Sequence, residues 1–267
     1  MGGQQAQIHP SAIIERGATI GSGAVIGPMC QIGAGATIEA GAVLMSHVVV
    51  SGQTTIGSRT VVHPFAVLGG PPQHMHYRGE PTKLIIGEDV IIREHVTMNL
   101  GTVNGKGVTT VGDRGFFMTG AHVGHDCTVG GDVIFANNAT LGGHVKIADH
   151  AFLGGLCAVH QNCRIGAYAF IGGCAAVVCD VIPYASAFGN HARLAGLNVI
   201  GMKRRGMNRA AIHNLRTVYR LLFEGDGVFK DRVEQVRKEH SDGEGVVHIL
   251  DFIDDGASRS LMTAPRS

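Results

Sequence analysis

The residues that could do chemistry here are four histidines and an aspartate. His122, His125 and Asp126 fall within TGAHVGHDCTVG (119–130), and His144 and His160 follow further along. A neutral imidazole can take a proton from a weak nucleophile, and a neighbouring carboxylate can orient it. Three imidazoles can instead hold zinc and leave one position open for water. Taken singly, each histidine reads as an ordinary core or surface residue. Only their convergence would make a site.

The elements that position them are set by a repeat. Large apolar residues recur every six positions as Ile8, Ile14, Ile20, Ile26, Ile32, Ile38, Leu44, Val50, Ile56, Val62 and Leu68. A small residue follows four later, as in Ala12, Ala24, Cys30 and Ala36, and Gly commonly follows the anchor. After GGPPQHMHYRGEPTKL the phase returns at Ile86 and Ile92, and after NLGTVNGKGVTT it runs from Val111 to Val177. Such hexads predict a parallel β-helix with one triangular coil per three hexads, stacked at about 4.8 Å, with glycines easing the corners.

Residues 18 apart should then stack. Gly124, Gly142 and His160 share one column, His125 and Gly143 the next, and Asp126 and His144 the one after. The expectation is that His125, His144 and His160 meet on one corner of three coils, with His122 close by and the second loop one coil below. Near residue 190 the period stops. Asn208 can cap a helix bearing Ile212, Leu215, Tyr219 and Leu222, and the stretches VFKDRVEQVRKEH and GEGVVHILDFI are amphipathic. The expected organisation is an all-β part over 1–190, with loops at about 69–85 and 99–110, and a small α-helical C-terminal domain over 191–267.

Composition excludes other classes. The 22 basic and 21 acidic residues argue against a nucleic-acid partner. There is no leader-like start and no window near the roughly 18 apolar residues of a membrane span, so the expectation is a cytoplasmic protein, not an integral membrane one. Six cysteines without CxxC spacing predict reduced thiols, and Cys30, Cys127, Cys157 and Cys163 occupy the small inward position.

The runs GAHVGHDCTVGGDVIFANNATLGGHVKI, AVHQNCRIG, IGGC, GNHA and GLNVIGMKRRG resemble the bacterial UDP-N-acetylglucosamine 3-O-acyltransferases that begin lipid A biosynthesis. That resemblance implies a left-handed β-helix, against the usual right-handed crossover rule, and a homotrimer with no cofactor. It implies an (R)-3-hydroxyacyl donor on acyl carrier protein and a UDP-sugar acceptor. By the same match His125 is the general base, Asp126 orients it, and the Gly143 N–H faces the developing oxyanion. A tight corner would also want glycine at 143.

The match places substrate contacts at His122, His144, His160 and Gln161, and nucleotide contacts at Asn198, Arg204 and Arg205. It gives an acyl groove past Gly155 and Gly173 with His191 capping that column. The first-loop positions that contact the sugar read His74 and His76 here. Asn99 and Leu100 stand where the family pattern has His and Arg, and Ile200 where it has a carboxylate. These departures surround the acceptor, so transfer to a 3-amino sugar is a second expectation. A zinc-dependent hydratase like the γ-class carbonic anhydrases, which share hexapeptide coils, is a third, and a non-catalytic scaffold a fourth.

Overall fold

The computed structural model describes residues 5–240, 243–256 and 259–264; the outer ends of both expected domains and two short breaks lie outside the described residues. Three parallel sheets form the faces of a triangular prism wound as a left-handed β-helix. The first sheet begins with Gln7–Ile8, the second with Ile13–Ile14, and the third with Thr19–Ile20. Neighbouring coils pair at the expected spacing, as in Phe116 with Ile134 and Thr128 with Lys146. Across the two loops the register widens, so that Lys83 pairs with Gln53 and Thr97 with His122.

The anchors fill the interior, with the rings of Phe117 and Phe135 in contact at 4.7 Å between centroids. Cys30, Cys127, Cys157 and Cys163 are buried free thiols. Burial pushes Cys127, Cys157 and Cys163 up to about 12, as expected of packed thiols rather than nucleophiles.

The glycines do something other than expected. The left-handed corner residue lies three after the anchor and is mostly not glycine: Asp126, Asp132, Asn138, His144, His150 and Leu156 all have φ between 54° and 62°. The glycine directly after the anchor answers a different need, because its Cβ would point up the axis into the next coil. At Gly124 that atom would lie 2.8 Å from the Leu141 oxygen, and at Gly57 2.2 Å from the Gly87 oxygen.

The last turn of the prism slips. Phe170 pairs with Ser186, and Ala185–Phe188 then turns back into an antiparallel strand, Arg193–Leu197. Four helices follow: α1 (Val199–Arg204), α2 (Arg209–Phe223), α3 (Phe229–His240) and α4 (Glu244–Asp254). Asn208 caps α2 through Ala211 N–H, and Ile212, Leu215, Tyr219 and Leu222 are buried, as the pattern predicted; α1 was not foreseen. Among the described residues no helix is long and apolar enough to cross a membrane.

The glycine account separates two chemically identical changes. Gly57→Ala should cost about 1–3 kcal/mol as overpacking, whereas Gly33→Ala, with its nearest neighbour at 3.3 Å, should stay within about 1 kcal/mol of the parent. Urea midpoints of the two variants check this.

Candidate active site

His125 and Asp126 form the corner between the strands His122–Val123 and Thr128–Val129. The Asp126 carboxylate is fully buried and holds the second loop. It accepts the Thr102 N–H at 3.0 Å, the Thr102 hydroxyl at 2.7 Å and the Lys106 N–H at 3.0 Å. Gly105 lies so close that a Cβ would sit 2.4 Å from the carboxylate carbon. Burial alone would raise this acid, but the Thr102 hydroxyl, the His125 ring and the Thr102 amide together hold it below the usual carboxylate value.

The fourth donor is His125 Nδ1, 2.9 Å from Oδ2. An ionised carboxylate only accepts, so Nδ1 carries the proton, and in the neutral form of the ring Nε2 is the bare nitrogen. With 13% of its side chain exposed, the ring is nearly buried yet reachable. Gly143 lies directly over it: a Cβ there would be 2.6 Å from Nε2. Gly143 has no left-handed φ, so the His125 ring, not the corner, requires glycine. Among the described residues its N–H reaches no backbone carbonyl.

His144 meets His125 edge-on at 5.0 Å, with Nε2 3.8 Å from Asp126. His74 brings the first loop against His125 at 5.6 Å and packs beside the exposed His76. His122 contacts the Thr97 hydroxyl at 2.7 Å. Burial, then the nearby His125, lowers the His122 pKa; burial is also the main cause of the lowering at His144, opposed by Asp126.

His160 departs from expectation. It follows the anchor Val159, the position that Gly124 and Gly142 hold in the coils below, and the contacts it makes are with other residues. Its Nδ1 instead meets Arg259 Nη2 at 2.8 Å, and Arg259 also donates to the Gln161 carbonyl at 3.2 Å. Among the described residues no three imidazoles come together as a ligand set. His125, Asp126 and His144 do have ligand atoms within 4.8 Å of one another. Both Asp126 oxygens already accept the donors named above, and a cation would have to displace them.

The other expected residues lie on different corners. Gly155 and Gly173 stack between the first and second sheets. The register slip puts Gly189, not His191, at the end of their column, since Gly172 N–H bonds Ala187 O and Ala176 N–H bonds Gly189 O; His191 sits exposed in the turn beyond. Asn198, Ile200, Arg204 and Arg205 line a cleft of ≈ 950 Å³ on the first sheet's side, with Ile134, Phe152, Phe170 and Phe188 as its apolar wall. There Asn198 caps α1 and donates to the Tyr168 carbonyl at 3.0 Å. Asn99 and Leu100 are buried: Asn99 Nδ2 donates to the Pro71 carbonyl at 3.0 Å, and Leu100 packs against Gly52.

Sequence reasoning missed Thr97, Thr102, Gly105 and Lys106. The seven-residue widening at the second loop hid them from an 18-residue search.

A β-helix of hexads with a carboxylate-held imidazole under a bare glycine N–H defines a hexapeptide-coil acyltransferase. Comparison with known proteins narrows this. Residues 180–262 match the family described as "Udp N-acetylglucosamine O-acyltransferase; Domain 2", and residues 3–111 match "GMPPB C-terminal domain". The acyl-(acyl-carrier-protein)–UDP-N-acetylglucosamine O-acyltransferase of Rhizobium johnstonii is 48% identical over 98% of this chain and 97% of its own. That of Caulobacter vibrioides is 54% identical over 77% and 78%. The crystal structure of UDP-N-acetylglucosamine O-acyltransferase from Moraxella catarrhalis superposes with a TM-score of 0.92 at 38% identity, covering 96% and 99%. The chain belongs to the acyl-(acyl-carrier-protein)–UDP-N-acetylglucosamine O-acyltransferase family.

All three lowered groups bind protons more readily when unfolded, so their contribution to stability is present above the unfolded values and lost as pH falls. Stability should decline below about pH 6.5 for His122 and His144 and further below about pH 4 for Asp126. Asp126→Asn should reduce the second decline, to which Asp89, Glu94 and Asp132 also contribute, and speed amide exchange at Thr102 and Lys106. Urea midpoints against pH, with hydrogen exchange, measure both.

Proposed function

We propose that this chain transfers an (R)-3-hydroxyacyl group from acyl carrier protein to the 3-hydroxyl of UDP-N-acetylglucosamine, the first step of lipid A biosynthesis. The observation that carries this reading is the His125–Asp126 contact beneath Gly143, in a family whose relatives bear that activity in their names. His125 Nε2 takes the proton of the sugar hydroxyl as its oxygen attacks the thioester carbonyl. The Gly143 N–H meets the developing oxyanion. As the intermediate collapses the C–S bond breaks, and the imidazolium returns its proton to the leaving thiolate. His74, His76, His122 and His144 surround the acceptor. His160 and Gln161 stand above it.

The site spans more than one chain in this reading. His125 lies between the second and third sheets, while Asn198, Arg204 and Arg205 lie beside the first. The first sheet's outer row, Val25, Val43, Val61, Ile91, Phe116, Ile134, Phe152 and Phe170, is apolar and only partly covered. Burying that row against another copy would form a homotrimer and bring the nucleotide-binding arginines to a neighbour's His125. The acyl chain runs past Gly155 and Gly173, which stack on the corner between the first and second sheets. The protein works in the cytoplasm, where both substrates are met.

His125→Ala should lower turnover by about 10² to 10⁴, the usual range for a lost general base. Near-normal turnover in a folded variant would contradict the assignment. Offering the 3-hydroxy and 3-amino forms of the sugar to the wild type decides between ester and amide products.

A further inference from the structure

Beside the catalytic corner, on the outer face of the third sheet, lies a second pocket of ≈ 380 Å³ lined by Lys106, Asp126, His144, Lys146, Asn162, Arg164 and Gly256. None of its cations takes part in the mechanism above. Thr128, Lys146 and Arg164 stand one above another in register, and the ammonium of Lys106 reaches the Thr128 hydroxyl from the second loop. The result is a basic ladder that climbs from the catalytic loop to the foot of α4.

Arg164 is the unusual member. It is only 7% exposed, and its Nε is spent on the buried Asp180 at 2.7 Å, which leaves the outer edge of the guanidinium facing the pocket. Nη1 and Nη2 are buried and make no hydrogen bond among the described residues, although Nη1 forms a long ion pair with the exposed Asp255 at 3.6 Å. The guanidinium is fixed in place by the Phe252 ring, 4.2 Å away. Buried guanidinium N–H groups without partners are costly, and they suit a bidentate oxyanion.

The other charges agree. Partial burial depresses the Lys106 pKa, Cys127 and Asp126 oppose the shift and Lys146 adds repulsion, so two ammonium groups share the pocket. The Asp126 charge is spent on its own donors, and Asp180 sits behind Arg164.

We propose that this pocket is a binding site for a phosphate-class oxyanion, held by Arg164, Lys146 and Lys106 next to the reacting groups. The pocket shares Asp126 and His144 with the catalytic corner, so a phosphate there lies within reach of the transfer site. Two substrate groups have this chemistry, the phosphodiester of a thioester-bearing prosthetic arm and the diphosphate of a nucleotide sugar; free phosphate is a third source. Which one occupies the pocket rests on the acyl-transfer reading. That an oxyanion binds there does not.

The test uses the full chain with inorganic phosphate as probe, added at constant ionic strength while thermal unfolding is followed. Saturable stabilisation is expected. Lys146→Ser and Lys106→Ser should each weaken the apparent affinity about tenfold, as expected for one lost charge-assisted contact. Both positions are exposed, so the variants fold, whereas Arg164→Ala risks the buried Asp180. An equal phosphate response in wild type and both variants would overturn the proposal. KM values assign the source. A several-fold rise for the thioester donor alone places its phosphodiester in the pocket, a rise for the sugar alone places the diphosphate there, and a change in neither leaves free phosphate as the ligand. A wild type that transfers no acyl group would sink the catalytic reading while the phosphate titration still stood.

Discussion

The close stacking of one coil on the next controls nearly everything in this molecule. Successive coils are joined by backbone hydrogen bonds such as His122 N–H to the Ala139 carbonyl at 2.9 Å, and the interval between them is a single strand spacing of about 4.8 Å. At that separation a Cβ added at Gly57 or Gly124, directly after the anchor, would run into the coil above, whereas Met118 and Ala136 carry one at the same position in other coils. The corner that follows turns through one left-handed residue. Side chains at the second and third corner positions then point sideways and are free to carry chemistry. His125 and Asp126 occupy these two positions, and Gly143 and His144 repeat them one coil up.

The same stacking explains why an isolated corner becomes a site. Asp126 adopts φ 60° as any corner residue does, but beneath it the chain leaves the coil for a loop instead of continuing as strand. That loop turns its Thr102 and Lys106 amides and the Thr102 hydroxyl onto the carboxylate. A buried charge that would be costly if unpaired is instead surrounded by donors. The acid in turn decides which ring nitrogen of His125 holds the proton, and the ring decides that residue 143 must be glycine. Loop, carboxylate, imidazole and glycine thus form one chain of dependence.

Much of this was legible in the residues. The hexad anchors, the buried cysteines, the Asn208 cap and the stacking of His125 under Gly143 all follow from period and residue type. What the period could not carry was direction. His160 falls on the right corner but in the neighbouring column, directly after its anchor, and its ring meets Arg259. Interruptions of the period hid the remainder: the widened register at the second loop concealed Thr97 and Thr102, and the slip after Ile171 moved His191 off its glycine column. Arg164 was invisible because its role depends on Asp180 and Phe252, which reach it from a later coil and from α4.

The central claim is that Asp126 fixes the His125 tautomer, and the ring nitrogens report it directly. In protein labelled with ¹⁵N-histidine, compared with His125→Asn to assign the signals, His125 at neutral pH should show a protonated Nδ1 and a bare Nε2. The Nδ1 proton should shift on Asp126→Asn. A proton resident on Nε2 in the wild-type enzyme would contradict the account, because the nitrogen facing Gly143 could then no longer accept one.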